Sequence, residues 1–521
     1  MSKPNSKIYL PILFALLFAL GYILGRKSNG LQIDSLFNAS KGKHKINRLL
    51  DLIDREYVDE VNTDSIVDLT VNGILEKLDP HSVYIPKSKL AQVTESMEGN
   101  FVGIGINFYM YKDTLTVLQP ILNGPSYRAG IQAGDRILVA NNKQLFNKKL
   151  TNEQLFTILK GEMDTKVNLL VYRKAEKRKF NVTISRAKIP VKSVEIALML
   201  QPKKGYIKVN RFAETTYSEF HQALVQLKQQ GMTEVIVDLR GNGGGYLEMA
   251  VAMADEFLKK DELIVKTKNR AKHEELSLAT EKGIFESGKI SVLVDENSAS
   301  ASEIFAGAIQ DNDRGSIIGR RTFGKGLVQK EMKLDDGSAV RLTVARYYTP
   351  SGRSIQKPYS DKNYFNEFEK RFASGELYQK DSIKVVDSLR YKTKKGRIVY
   401  GGGGIIPDVF VPLTASHDEE GLTLLLQTDF INYFAFEKVD AKRLYFKEFT
   451  QPTLKKEIYE NPLYFKQFQD YVTQNGFSFK LAKHKTEVID YLYAAFTKQL
   501  FGDKAYYQIV LPKDKMIKRA L

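Results

Sequence analysis

The spacing of apolar residues changes several times along this 521-residue chain, and each change predicts a different kind of element. Residues 8–25, IYLPILFALLFALGYILG, run 18 positions without a charge, about 27 Å as a helix and close to the hydrocarbon thickness of a bilayer. They predict a transmembrane anchor or a signal sequence behind a short cytoplasmic tail at 1–7. No small-x-small cleavage site follows, which favours a retained anchor, and the lysines and arginine on both flanks leave its orientation open. From 26 to 94 the text is helical: INRLLDLIDREYV and SIVDLTVNGILEKL place apolar residues at three- and four-residue steps, with Thr63 or Asp64 to cap the second helix. Between 95 and 188 short alternating runs predict strands, GIGINF, LTVLQP, DRILVA, KVNLLVYR and KFNVTIS, with TNEQLFTILKG as a helix among them. Residues 189–412 interleave strand-like GYIKVNRF, EVIVDL, LIVKT, ISVLVDE and SIIGRR with helical stretches at 217–230, 246–258 and 300–310, which predicts an α/β sandwich with a helix-covered sheet. The remainder, 413–521, carries Lys, Phe and Tyr at helical steps. It predicts a helical carboxyl-terminal domain whose aromatics form a core rather than a base-stacking surface, and a candidate homo-oligomer contact.

Composition narrows the chemistry. At this length and 43% hydrophobic residues the chain can build several folded units, each with a core. With no cysteine there is no thiol nucleophile, disulfide frame or thiolate metal site. The six histidines, His44, His81, His221, His273, His417 and His484, show no HExxH or other ligand spacing, so neither metal nor cofactor is expected, and His81 reads as structural. The net charge of +17 suits nucleic acid, anionic lipid or acidic polymers. No nucleic-acid motif accompanies it, so a lysine-rich face near a membrane or cell-wall polymer is weighed against plain solubility.

The informative chemistry lies in NSASASEIFAGAIQDNDRG, 297–315, and TFGKGLVQ, 322–329. Ser300 stands at the mouth of a helix whose Ile304, Phe305, Ala308 and Ile309 suit one buried face, where free N–H groups favour a developing anion. Lys325 follows between Gly324 and Gly326, which let the backbone bend, and Gln329 is placed to orient its amine. Serine and lysine read as nucleophile and base, on condition that burial among Phe323, Leu327 and Val328 lowers the amine from its ordinary pKa of about 10.4. Set against this, a lone lysine in so basic a chain is by default a solvated loop residue, and Ser298 and Ser302 are alternative nucleophiles. The glycine run in VIVDLRGNGGG, 235–245, lacks the GxGxxG and Walker patterns of a nucleotide cradle, but the same geometry can serve an oxyanion.

These motifs, together with LDDGSAVRLTVARYYTPSGRSIQ at 334–356, GGIIPDV at 403–409, GPSYRAGIQAGDRIL at 124–138 and LDPHSVY at 78–84, resemble the carboxyl-terminal processing, or tail-specific, serine proteases over about 45–412. The resemblance implies a multidomain α/β fold: a crotonase-like or Clp-type protease core at 189–412, a PDZ domain at 95–188 inserted before it, and flanking helical regions. It carries the nucleophile to Ser300, the base to Lys325 and the orienting residue to Gln329. It also implies an oxyanion hole from the N–H groups of Ala301 and of the run Gly243, Gly244, Gly245, with Gly244 or Gly245 the expected donor. Gly103, Ile104, Gly105 and Ile106 would form the loop that captures a peptide's terminal carboxylate while the peptide adds a strand to a sheet edge. The expected protein is a membrane-anchored serine endopeptidase of the bacterial inner membrane, facing the periplasm and acting on proteins with exposed carboxyl termini. A catalytically inactive PDZ scaffold of the cell envelope is the alternative.

Overall fold

The computed structural model describes residues 41–359, 364–413, 422, 425, 426, 428–477 and 481–521, so the apolar segment 8–25 lies outside the described residues. Among the described residues no helix is long and apolar enough to cross a membrane. The chain divides into two compact units, up to residue 74 and from residue 75 onward. The first contains α1 (Lys41–Glu56) and most of α2 (Thr63–Leu75). The cap of α2 is Asn62, whose Oδ1 accepts from the Ser65 N–H at 3.1 Å. Thr63, expected as a cap, instead donates its hydroxyl to Asp54 at 2.9 Å.

The second unit opens with β1 (Val83–Ile85) and α3 (Lys87–Glu98), then β2 (Asn100–Gly103), β3 (Ile106–Tyr111), β4 (Thr114–Pro120), β5 (Asp135–Ala140), α4 (Asn152–Leu159), β6 (Lys166–Arg173), β7 (Arg178–Ser185) and β8 (Ala187–Pro190). Strands β3-β4-β5-β6-β7 form one antiparallel sheet with β3 at its edge, and β2 pairs with β8. The alternation read in the sequence is the cause: Val167, Leu169 and Val171 of β6 point inward with Leu115, Val117 and Ile137. α4 starts at a reciprocal cap, Thr151 accepting from the Gln154 N–H at 3.3 Å and Gln154 Oε1 from the Thr151 N–H at 3.0 Å.

The core follows: β9 (Val194–Gln201), β10 (Lys204–Val209), α5 (Thr216–Gln229), β11 (Glu234–Asp238), α6 (Leu247–Asp255), β12 (Leu263–Asn269), β13 (Glu274–Leu278), β14 (Lys289–Val294), α7 (Ala301–Asp311), β15 (Ser316–Gly319), β16 (Leu327–Lys333), β17 (Ala339–Tyr348) and β18 (Val409–Phe410). One sheet runs β9-β10-β11-β14-β15-β18, parallel from β10 onward. Its central strands are buried on both faces, which is why EVIVDL and ISVLVDE are nearly continuous apolar runs. A second sheet, β1-β17-β12-β13, carries β16 on β17 as a hairpin. Helix α7 is buried at every position, not along one face as its apolar spacing predicts.

The helices beyond 430 pack around Phe434, Phe446, Phe468 and Phe496, so the aromatics form a core. Of these helices α8 (Phe430–Ala441) lies against the domain of β3 to β7, with the Tyr433 and Tyr109 rings stacked at 4.7 Å. Leu511, Met516 and Ile517 cover the outer face of the parallel sheet with Leu198, Tyr206, Ile236 and Leu293.

Candidate active site

Two turns and a helix start meet at one place. β11 ends in the 239–245 turn, whose centre is the fully buried Asn242. Its Nδ2 donates to the Val209 carbonyl at 2.9 Å, which leaves Oδ1 to accept from the Gly244 N–H at 2.9 Å. Its carbonyl accepts from the Ala299 N–H at 3.0 Å and the Ser302 hydroxyl at 2.8 Å, so the glycine turn and the serine loop are tied together. The Ser298 hydroxyl donates to the Leu239 carbonyl at 2.8 Å. Two of the three candidate serines are therefore engaged in holding the loop. The Ser300 hydroxyl donates to no acceptor among the described residues, and Ser300 lines a cleft of about 530 Å³ together with Lys325, Gly244, Tyr246, Leu327 and Arg341. Its backbone sits at φ 57° and ψ −113°, a sparsely populated conformation of the kind that functional sites hold under constraint.

Glycine is required opposite it. Gly244 has φ +100°, and a Cβ there would lie 2.8 Å from Ser300 Cβ and 2.9 Å from the Ala301 nitrogen. Of the two glycines expected as oxyanion donors, Gly244 or Gly245, the first gives its N–H to Asn242 Oδ1. Among the described residues the N–H groups of Ala301, Gly243 and Gly245 have no acceptor; Gly243 and Gly245 line the cleft, and Ala301 directly follows Ser300, which also lines it.

Glu303, a residue whose role the sequence reading missed, joins the two halves of the site. Fully buried in the first turn of α7, it accepts from Ser300 N–H at 2.9 Å, Lys325 N–H at 2.8 Å, Gly324 N–H at 2.7 Å and the Thr322 hydroxyl at 2.5 Å. Burial pushes its pKa up, and the four donors pull the other way. The buried Tyr347 hydroxyl adds a second tie, to the carbonyls of Lys325 at 2.7 Å and Ser300 at 3.2 Å.

The Lys325 amine is held at 2.8 Å from Gln329 Oε1. Its pKa is lowered from the ordinary 10.5 to about 8, first by burial and then by the Arg341 charge, against the attraction of Glu303 and Asp79. Leu327 and Val328 wall it as expected, whereas the Phe323 ring is covered by another cation, Lys357, at 3.8 Å. Among the described residues the amine makes no hydrogen bond to Ser300, so the two share the cleft without being joined. His81 is no base for this serine: it does not line the cleft, and burial and then the Lys325 charge lower its pKa to about 4.

In the loop 103–106, Gly105 has φ +72° and Ile104 is buried in the domain core, so only backbone groups can face a ligand. The Ile104 and Gly105 carbonyls accept from Ser126 and Ile121, and among the described residues their own N–H groups have no acceptor. Ile106 then begins β3, the sheet edge, beside α4, where Phe108 and Phe156 meet at 5.8 Å.

Comparison with known proteins bears on this arrangement. Residues 203–363 match the peptidase family S41, residues 102–184 the PDZ domain, and residues 26–89 the activating protease CtpB N-terminal domain. A probable CtpA-like serine protease of Staphylococcus aureus (strain MRSA252) is 34% identical over 66% of this chain and 68% of its own length. The carboxy-terminal processing protease CtpB of Bacillus subtilis (strain 168) is 30% identical over 66% of this chain and 72% of its own. Among solved structures, the photosystem II D1 C-terminal processing protease is 24% identical over 75% of this chain and 98% of that one, with a TM-score of 0.37.

Proposed function

This chain belongs to peptidase family S41 as a carboxy-terminal processing serine protease with a PDZ domain, and from that premise we propose that it cleaves through Ser300 and Lys325. The observation that carries the reading is the Ser300 hydroxyl, its proton given to no acceptor, in one cleft with an amine whose pKa is held near 8. In the neutral form Lys325 takes the Ser300 proton as the hydroxyl attacks the scissile carbonyl, then returns it to the leaving amine, and water hydrolyses the acyl-enzyme by the same route. The N–H of Ala301, with that of Gly245 or Gly243, stabilises the tetrahedral oxyanion. Gln329 orients the amine, and a small shift of the Lys325 side chain on substrate binding brings it to Ser300.

We assign tail recognition to the 103–106 loop, whose free N–H groups receive a terminal carboxylate while the substrate pairs along β3. We further propose that residues 8–25 anchor the enzyme in a bacterial inner membrane with these domains in the periplasm; the uncharged run supports this. The test is cleavage of an unfolded protein bearing an apolar tail by the detergent-solubilised full chain. Ser300→Ala and Lys325→Ala are expected to abolish it, by about 10³-fold or more. Wild-type rates in either variant would remove the dyad.

A further inference from the structure

Gln329 is the hydrogen-bond partner of the Lys325 amine, so whatever orients Gln329 orients the amine. A primary amide shows its oxygen to a lysine in a defined direction only if its NH2 has an acceptor on the other side. Here that acceptor is the main-chain carbonyl of His81, 248 residues distant in sequence. The carbonyl owes its direction to a turn at 79–82. The buried Asp79 carboxylate accepts from the N–H groups of His81 and Ser82 through Oδ1, both at 2.8 Å, and from the Ser82 hydroxyl through Oδ2 at 2.7 Å. Ser82 Oγ then accepts from the Thr343 N–H at 3.1 Å, and Thr343 is the residue paired with Gln329 across the β16–β17 hairpin. The turn is thus registered against the strand that carries Gln329. The His81 ring fixes the same residue from its other end: the Tyr364 hydroxyl accepts from Gln356 at 3.2 Å and is hydrogen-bonded to His81 Nε2 at 2.8 Å.

We propose that Asp79 is a positioning residue of the reaction: by clasping the 79–82 turn it aims the His81 carbonyl at the Gln329 amide, which sets the Gln329 oxygen on Lys325. The inference rests on the Ser300–Lys325 reading. It gives a reaction-linked role to DPHS, a motif whose histidine otherwise reads as structural.

The experiment is a double-mutant cycle on the detergent-solubilised full chain. It reads the rate of Ser300 acylation by a fluorophosphonate probe, with kcat and KM on an unfolded apolar-tailed protein. Asp79→Ala is expected to slow acylation about tenfold or more and to lower kcat with KM changed less than about twofold. In the Gln329→Ala background Asp79→Ala should cost no more than about twofold further, because a residue acting through Gln329 has nothing left to act on. Ser82→Ala, a gentler change that keeps the Asp79 contacts to both N–H groups, should give a smaller loss that also disappears in that background. Should Asp79→Ala fail to fold, Ser82→Ala decides. Multiplying losses in the double variants, unchanged acylation in the single ones, or full activity in Gln329→Ala would each overturn the proposal. Persistent acylation in Lys325→Ala would instead overturn the dyad, so the two failures are separable.

Discussion

At the scale of single residues, the costliest feature of the site is the dry amine of Lys325. A lysine whose pKa falls from 10.5 to about 8 on folding makes the native state less stable below pH 8, because the unfolded chain binds the proton more tightly. The penalty shrinks as pH rises between those values and is gone above the upper one. Lys325→Met is therefore expected to be inactive yet more stable at pH 7, by about 2–3 kcal/mol. Denaturant unfolding of both proteins should show the gap closing between about pH 8 and 10.5. The same shift fixes the sign of the activity profile: as the neutral amine is the base, kcat/KM should rise with pH and level off above about 8, and an acid limb centred near 6 would assign the base elsewhere. Ser300, Lys325 and Gln329 could be read from the sequence because each sits in a short motif with a chemical reason for its neighbours. Glu303 lies in the Ser300 motif and Asn242 in the glycine run 235–245, yet neither motif shows what they do. Their importance comes from partners such as Thr322 and Val209, supplied by other elements, which local spacing does not encode.

At the scale of elements, strands and helices were legible wherever one face is buried and the other wet, as in β3 to β7, where period-two alternation is written directly into the chain. α7 shows the limit of that reading: with elements packed all round it, burial leaves no polar stripe to see. The start of this helix and the loop carrying Lys325 are joined through Glu303, so they should respond as a unit. Glu303→Gln replaces one acceptor oxygen by a donor facing two donors, a cost of about 1–3 kcal/mol or more for the unsatisfied groups. It also removes a negative charge that favours the protonated amine. The expected outcome is a lower kcat with the acid limb moved to lower pH. A variant that merely lets water into the cleft would move the limb upward, toward 10.5, and the pH profile distinguishes the two.

At the scale of the whole molecule, the domain of β3 to β7 is held by more than its chain connections to the core. Tyr109, on the strand where a peptide tail would pair, stacks its ring on Tyr433 of α8. On β5, separated from β3 by β4 in the same sheet, Arg136 makes two hydrogen bonds to Asp440 at 2.6 and 3.0 Å, with both side chains at most 10% exposed. Gly134 admits this contact: a Cβ there would lie 2.5 Å from Asp440 Oδ1 and 2.6 Å from Arg443 Nε. The other end of the helical domain is fastened to the parallel sheet, Asp514 pairing with Arg240 at 2.7 Å and Lys204 reaching the Leu521 carbonyl at 2.7 Å. The helical domain is thus a strut between the PDZ domain and the core, a role no motif announces, because Arg136 and Asp440 are 304 residues apart. Asp440→Ala leaves the Arg136 guanidinium buried without its partner, a loss of about 3–5 kcal/mol at that interface. The PDZ domain should then loosen while the catalytic core keeps its fold. Hydrogen exchange is expected to quicken in β3, β5 and α8 and to stay unchanged in β11, β14 and α7. Asp440→Asn, which keeps an acceptor for Arg136, should fall between the two, and equal protection of β3 and β5 in all three proteins would show that the strut does not depend on this pair.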